Sequence, residues 1–257
     1  MQKRGFLALL AAGATGFTGA AAPPPSRAPV RVAAASDLKF ALGQLAAQYE
    51  RETHQRVELN LGSSGQFAQQ IRQGLPVDLY LSADEEFVFQ LAAAGLTHDR
   101  GVLYALGRIA ALVPAGSDLP LDERLAGLRG FWPVIRHFAI ANPDHAPYGR
   151  AARTALQRLG LWESARPKLV LGENIAHATQ FVTSGAAQAG ISALSLALAP
   201  EVARLARHLV LPAQLHDPLR QRMVLLKGAS AAAGGFYEFL QGAAARQVFQ
   251  RYGFAAA

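Results

Sequence analysis

The sequence predicts an α/β protein of two lobes, each a mostly parallel sheet flanked by helices, with two strands crossing between them. Three observations carry that expectation. Strand and helix patterns alternate three times between Val30 and Ala94, the signature of a parallel sheet with covering helices. A similar alternation follows the apolar strand pattern Arg108–Val113. The last strand and helix are too few to bury a core of their own, so they are expected to return to the first lobe. The expected division is residues 30–107 plus 218–257 for lobe one and 108–217 for lobe two.

Taken in order, Met1–Ala22 is set aside first. Gln2-Lys3-Arg4 is basic, Gly5–Ala14 is apolar and Ala-rich, and Thr18–Ala22 offers small-residue cleavage sites, so residues 1–22 read as a secretory signal peptide. The apolar run is short and broken by glycine, which weighs against the rival reading of a retained membrane anchor. Residues 23–29, PPPSRAP, form a loose leader. Val30–Ala35 reads as a buried strand, and Ser36-Asp37 opens a helix with Leu38, Ala41, Leu42, Leu45 and Tyr49 at helical spacing. A strand Val57–Leu61 ends in Gly62-Ser63-Ser64-Gly65, where a helix starts at once with Phe67, Ala68 and Ile71 on one face. Val77–Leu81 is the third strand, and the helix Glu85–Ala94 carries acids in its first turn, where the helix dipole favours them.

Arg108–Val113 is a strand ended by Pro114, and Leu119–Gly130 reads as a short helix and loop. Phe138–Ala141 runs into the turn Asn142–Gly149, after which a helix turns Ala152, Ala155, Leu156 and Leu159 inward and stops at Gly160. Leu169–Leu171 reaches Gly172-Glu173-Asn174, and a helix begins at about Ile175. Ala189–Ala193, Leu209–Leu211 and Arg222–Leu226 are further strands, and one final helix covers Gly235–Tyr252.

Composition narrows the function. The absence of cysteine removes disulfides, thiolate metal sites and lipid-modified cysteine, leaving a soluble protein outside the cytoplasmic membrane. Loss of Lys3 and Arg4 with the signal takes the formal charge from +7 to +5, and the basic residues are scattered. That distribution argues against nucleic acid as a partner and suits steering of small anions. The seven histidines show no metal spacing, Ser192 and Ser195 lie in no nucleophile elbow, and no phosphate loop is present. Asp84-Glu85-Glu86 reads as helix capping rather than a catalytic acid pair, and His145 as a polar turn residue.

What remains is a set of four strand-to-helix junctions: Ser36-Asp37, Ser63-Ser64, Tyr148 and Asn174-Ile175. Ligands of open α/β sheets bind beyond the carboxyl ends of the strands, where such turns lie. First-turn N–H groups have no intrahelical acceptor, and the macrodipole places partial positive charge there, so each junction is an anion seat. Two junctions fall in each lobe, and closure would gather the hydroxyls of Ser36, Ser64 and Tyr148 with several N–H groups around one small anion. Each junction also has a bland reading: serine as a helix cap, Tyr148 as packing, Ile175 as core.

Four stretches, AAASDLKFAL (33–42), GSSGQFAQQIRQGLPVDLYLSAD (62–84), NPDHAPYGRAARTALQRLGLW (142–162) and GENIAHATQFVTSG (172–185), resemble the periplasmic molybdate-binding proteins of ABC transporters. The ending FYEFLQGAAARQVFQRYGF (236–254) is similar to that family's ending. The resemblance implies the type II periplasmic binding-protein fold, closing on one tetrahedral molybdate or tungstate, with no cofactor and no metal bound except as the oxyanion. It implies a monomer that delivers its ligand to a membrane permease. Carried over by position, Ser36 and Ser64 give hydroxyls, Asp37, Ser64 and Ile175 give N–H groups, and Ser63 and Asn174 flank them. The family often has a ligand tyrosine near the position of Ala193, where this chain reads GISALS, and Tyr148 would supply the missing hydroxyl. Asp37 is the anomaly, because a carboxylate beside a dianion repels it unless the side chain caps its own helix and faces away. The competing functions are binding of another oxyanion (sulfate or phosphate) or of a small organic anion, and an extracytoplasmic hydrolase.

Overall fold

The computed structural model describes residues 28–256, so the expected signal peptide and most of the leader lie outside the described residues. Lobe one begins with β1 (Val30–Ala35), a 3-10 turn at Ser36–Leu38 and α1 (Lys39–Thr53). It continues with β2 (Val57–Gly62), α2 (Ser64–Arg72), β3 (Leu79–Ser82), α3 (Glu85–Ala93) and β4 (Val102–Gly107). After Arg108 the chain passes directly into lobe two through β5 (Ile109–Pro114), followed by α4 (Ala126–Phe131), β6 (Phe138–Ala141) and α5 (Pro147–Arg158). Then come α6 (Trp162–Ala165), β7 (Leu169–Gly172), α7 (Ile175–Thr183), β8 (Ala189–Ala193), α8 (Leu194–Ala197), α9 (Pro200–Ala203) and β9 (Ala206–Val210). The chain returns to lobe one as β10 (Leu219–Leu225), α10 (Ala231–Phe239) and α11 (Ala243–Arg251).

The two sheets have the orders β2-β1-β3-β10-β4 and β7-β6-β8-β5-β9. In each, three strands linked through helices are parallel, and the strand arriving from the other lobe is antiparallel to both neighbours. Four of the five strands in each sheet thus run the same way, as the expected mostly parallel sheets require, and the one strand from the other lobe makes each sheet mixed. A helical crossover fixes strand direction, whereas β5 and β10 enter without one and are free to run the other way.

Burial explains which pattern became which strand. In β1, every residue but Arg31 is buried, as a central strand covered on both faces requires. Along the edge strand β2, half-buried residues alternate with exposed Glu58 and Asn60. Leu38, Leu42, Leu45 and Tyr49 share one core with Phe236 and Phe249, and the Tyr49 and Phe236 rings lie 5.1 Å apart. Each such buried side chain contributes about 1.5–3 kcal/mol, which is what fastens the C-terminal helices to lobe one.

Two expectations need correction. The single final helix is two helices: Gly242 adopts extended backbone (φ −68°, ψ 162°) and serves as the N-cap of α11. Glycine is accepted at an N-cap at little cost, so the second helix can begin after it. Strand β4, absent from the expected elements, precedes the crossing and is only partly buried, which blurs its periodicity. Among the described residues no helix is long and apolar enough to cross a membrane.

Candidate functional site

A small cavity lies between the lobes, far below the ~300 Å³ at which drug-sized ligands begin to fit. All seven residues singled out from the sequence line it: Ser36, Asp37, Ser63 and Ser64 from lobe one, Tyr148, Asn174 and Ile175 from lobe two. Ala35, Gly62, Ala83, Ala146 and Pro147 complete the wall, so no lysine or arginine is among the lining residues.

The helix ends decide what the cavity can hold. Neither α1, α2 nor α5 has a side-chain cap; Ser63 is the N-cap residue of α2, yet its hydroxyl makes no cap bond. By contrast α7 is capped, Asn174 Oδ1 accepting the N–H of His177 at 3.0 Å. The first-turn N–H groups of Ser64 and Ile175 thus lie on a buried wall without an intrahelical acceptor, a costly arrangement unless a ligand supplies one.

The three serines are not equivalent. Ser36 Oγ accepts the N–H of Ala176 from the other lobe at 3.2 Å, and Ser64 Oγ accepts the N–H of Ala83 at 3.0 Å. Each keeps its own proton to donate. Ser63 Oγ gives its proton to the carbonyl of His145 at 2.7 Å, and the His145 ring Nδ1 lies 2.9 Å from Ser63 Oγ. With the serine proton committed to a carbonyl, Nδ1 is the donor in that contact, so the pair is a clasp between lobes rather than a nucleophile and base. Gly65 closes the same seam, donating its N–H to His145 carbonyl oxygen at 3.0 Å.

Asp37 departs from the expected arrangement. Its carboxylate does not cap its helix. Oδ2 accepts from Tyr148 hydroxyl at 3.0 Å and from Gln221 Nε2 at 2.6 Å, while Gln221 Oε1 accepts from Tyr104 hydroxyl at 2.7 Å. Oδ1 is buried without a partner among the described residues. The Tyr148 proton, expected to reach the anion, is therefore taken by a carboxylate, the stronger acceptor within reach. Burial pushes the Asp37 carboxyl up to about 6 against the pull of the Gln221 and Tyr148 hydrogen bonds, and burial with the nearby Asp37 charge raises the Tyr148 hydroxyl. Gln221 and Tyr104 escaped the sequence reading because neither sits at a strand-to-helix junction. Ser195, read only as lacking an elbow, donates to the Asp37 carbonyl at 2.8 Å and pins the turn.

Comparison with known proteins agrees with this architecture. Residues 30–255 match the family model described as bacterial extracellular solute-binding protein. The molybdate-binding protein ModA of Azotobacter vinelandii is 34% identical over 230 residues, covering 88% of this chain and 90% of its own. ModA of Rhodobacter capsulatus is 32% identical over 234 residues, covering 90% of each chain. The solved structure of the A. vinelandii periplasmic molybdate-binding protein superposes with a TM-score of 0.81 at 30% identity, covering 89% of this chain and 99% of that one. The chain belongs to the bacterial extracellular solute-binding protein family, among relatives of ModA.

Proposed function

We propose that this protein captures molybdate or tungstate outside the cytoplasmic membrane and hands it, as a monomer released by signal cleavage, to an ABC permease. The observation that carries the reading is the set of first-turn N–H groups without an intrahelical acceptor meeting free serine protons in one small buried cavity. Its role is solute binding, not catalysis, as in its relatives.

The donors act as follows. A tetrahedral dianion in the cavity accepts from Ser36 and Ser64 hydroxyls and from the first-turn N–H groups of Ser64 and Ile175, drawn from both lobes. Each charge-assisted bond contributes about 1.5–3 kcal/mol. Fixed neutral donors satisfy the charge without a counter-ion whose own desolvation would offset the gain. Selectivity follows from reach: a smaller anion such as sulfate leaves some donors unpaired, at roughly 1–3 kcal/mol each. The test is titration calorimetry with molybdate, tungstate, sulfate and phosphate. Molybdate and tungstate are expected to bind at one site per chain and at least a hundredfold more tightly than sulfate. Tight sulfate binding with no heat from molybdate overturns the assignment.

A further inference from the structure

A buried carboxylate on a residue that lines the cavity needs a reason. Asp37 is fully buried. The amide of Gln221 is oriented by Tyr104, so that its NH₂ faces Asp37 and, with the Tyr148 hydroxyl, leaves Oδ2 purely an acceptor. If the carboxyl holds a proton, it is therefore on Oδ1, the oxygen that has no partner among the described residues.

The surrounding charges do not neutralise it. On α1, Lys39 lines the outer cleft, as does His177 on α7. Arg150 of α5 is paired with Asp84, and Arg220 and Arg222 of β10 are paired with Glu85. His145 serves the Ser63 clasp, Glu58 of β2 is exposed, and α8 carries no titratable side chain. Tyr80 of β3 is tied to the Ser64 carbonyl, and Arg108 lies in the crossing with its Nε buried and without a partner among the described residues. What shifts Asp37 is burial, opposed by hydrogen bonds, with no basic side chain among its causes. A dianion closing into the same cavity adds like charge in a desolvated space, and two such anions cannot both stay ionised cheaply.

Given the oxyanion-binding reading above, on which this inference rests, we propose that Asp37 takes up one proton from solvent as the anion binds. The protonated Oδ1 then donates to an anion oxygen and becomes a further specificity-determining donor. The proton joins a carboxylate oxygen and no other bond changes. Capture is thereby favoured at lower pH, and loss of the proton favours release.

The experiment is calorimetry with molybdate on the full mature chain at pH 7 and pH 8, in two buffers of different ionisation enthalpy. About one proton taken up per anion is expected, with affinity falling about tenfold per pH unit. Asp37→Asn is expected to bind with no proton uptake and a flat pH profile. Wild-type binding without uptake, or unchanged uptake in Asp37→Asn, overturns the inference while leaving molybdate capture standing. Absence of binding by either molybdate or tungstate overturns the functional reading and this inference with it. The wild-type proton count decides by itself if Asp37→Asn fails to fold.

Discussion

A serine hydroxyl has one proton to give, and its neighbours decide where it goes. At Ser36 and Ser64 the oxygen already accepts a backbone N–H, so the proton is left for the cavity; at Ser63 a carbonyl has taken it. Ser64→Ala is therefore expected to weaken molybdate binding by about tenfold to a hundredfold, the loss of one charge-assisted hydrogen bond. Ser63→Ala removes only the clasp to His145, and a clearly smaller loss is expected. Calorimetry on the two variants checks this, and an equal loss would place the Ser63 hydroxyl on the anion. The sequence located both serines but could not separate them, because the difference lies in Ala83 and His145, contributed by other elements.

Among the elements, α2 matters most, since it brings an uncapped N-terminus to the cavity and touches the other lobe. Gly65 is there for closeness of approach: a Cβ would stand 2.5 Å from the His145 carbonyl oxygen. Gly65→Ala suits a helix, so the anion-free protein is expected to keep its melting temperature within a few degrees. Closure is what it obstructs. Molybdate affinity is expected to fall by at least tenfold, and small-angle scattering with saturating molybdate should show a wider molecule than wild type. Strand β10 is the second decisive element. Its register shifts between Gln221 and Arg222, a bulge that accompanies delivery of the Gln221 amide to Asp37, 184 residues away in sequence.

Across the whole molecule, the lobes meet through polar contacts beside shared apolar packing, in which Ala35, Ala83 and Phe40 of lobe one join the core of lobe two. Among the polar contacts are the Ser63–His145 clasp, the Ser36–Ala176 hydrogen bond, the Tyr148–Asp37 hydrogen bond and the Arg150–Asp84 ion pair, whose guanidinium also lies 5.2 Å from the Phe87 ring centroid. The half-exposed Arg150–Asp84 pair contributes about 0–1 kcal/mol. A ligand present at a thousand times its dissociation constant stabilises the folded state by about 4 kcal/mol. Thermal melts are therefore expected to rise by several degrees with molybdate or tungstate and to stay unchanged with equal sulfate. A rise with all three anions alike would mean a site without size selection.

The sequence by itself determined the alternation of strands and helices, the return of the C-terminus to lobe one and the seven junction residues that line the cavity. Those are local or periodic properties, written in hydrophobic spacing and in glycine and serine at strand ends. Tertiary structure alone decided strand direction in β5 and β10, the split fates of the serine protons and the partners of Asp37. Each of these depends on which backbone or amide group a distant segment places within about 3 Å, the reach of a hydrogen bond. Spacing along one chain does not encode that distance; packing of the two lobes does.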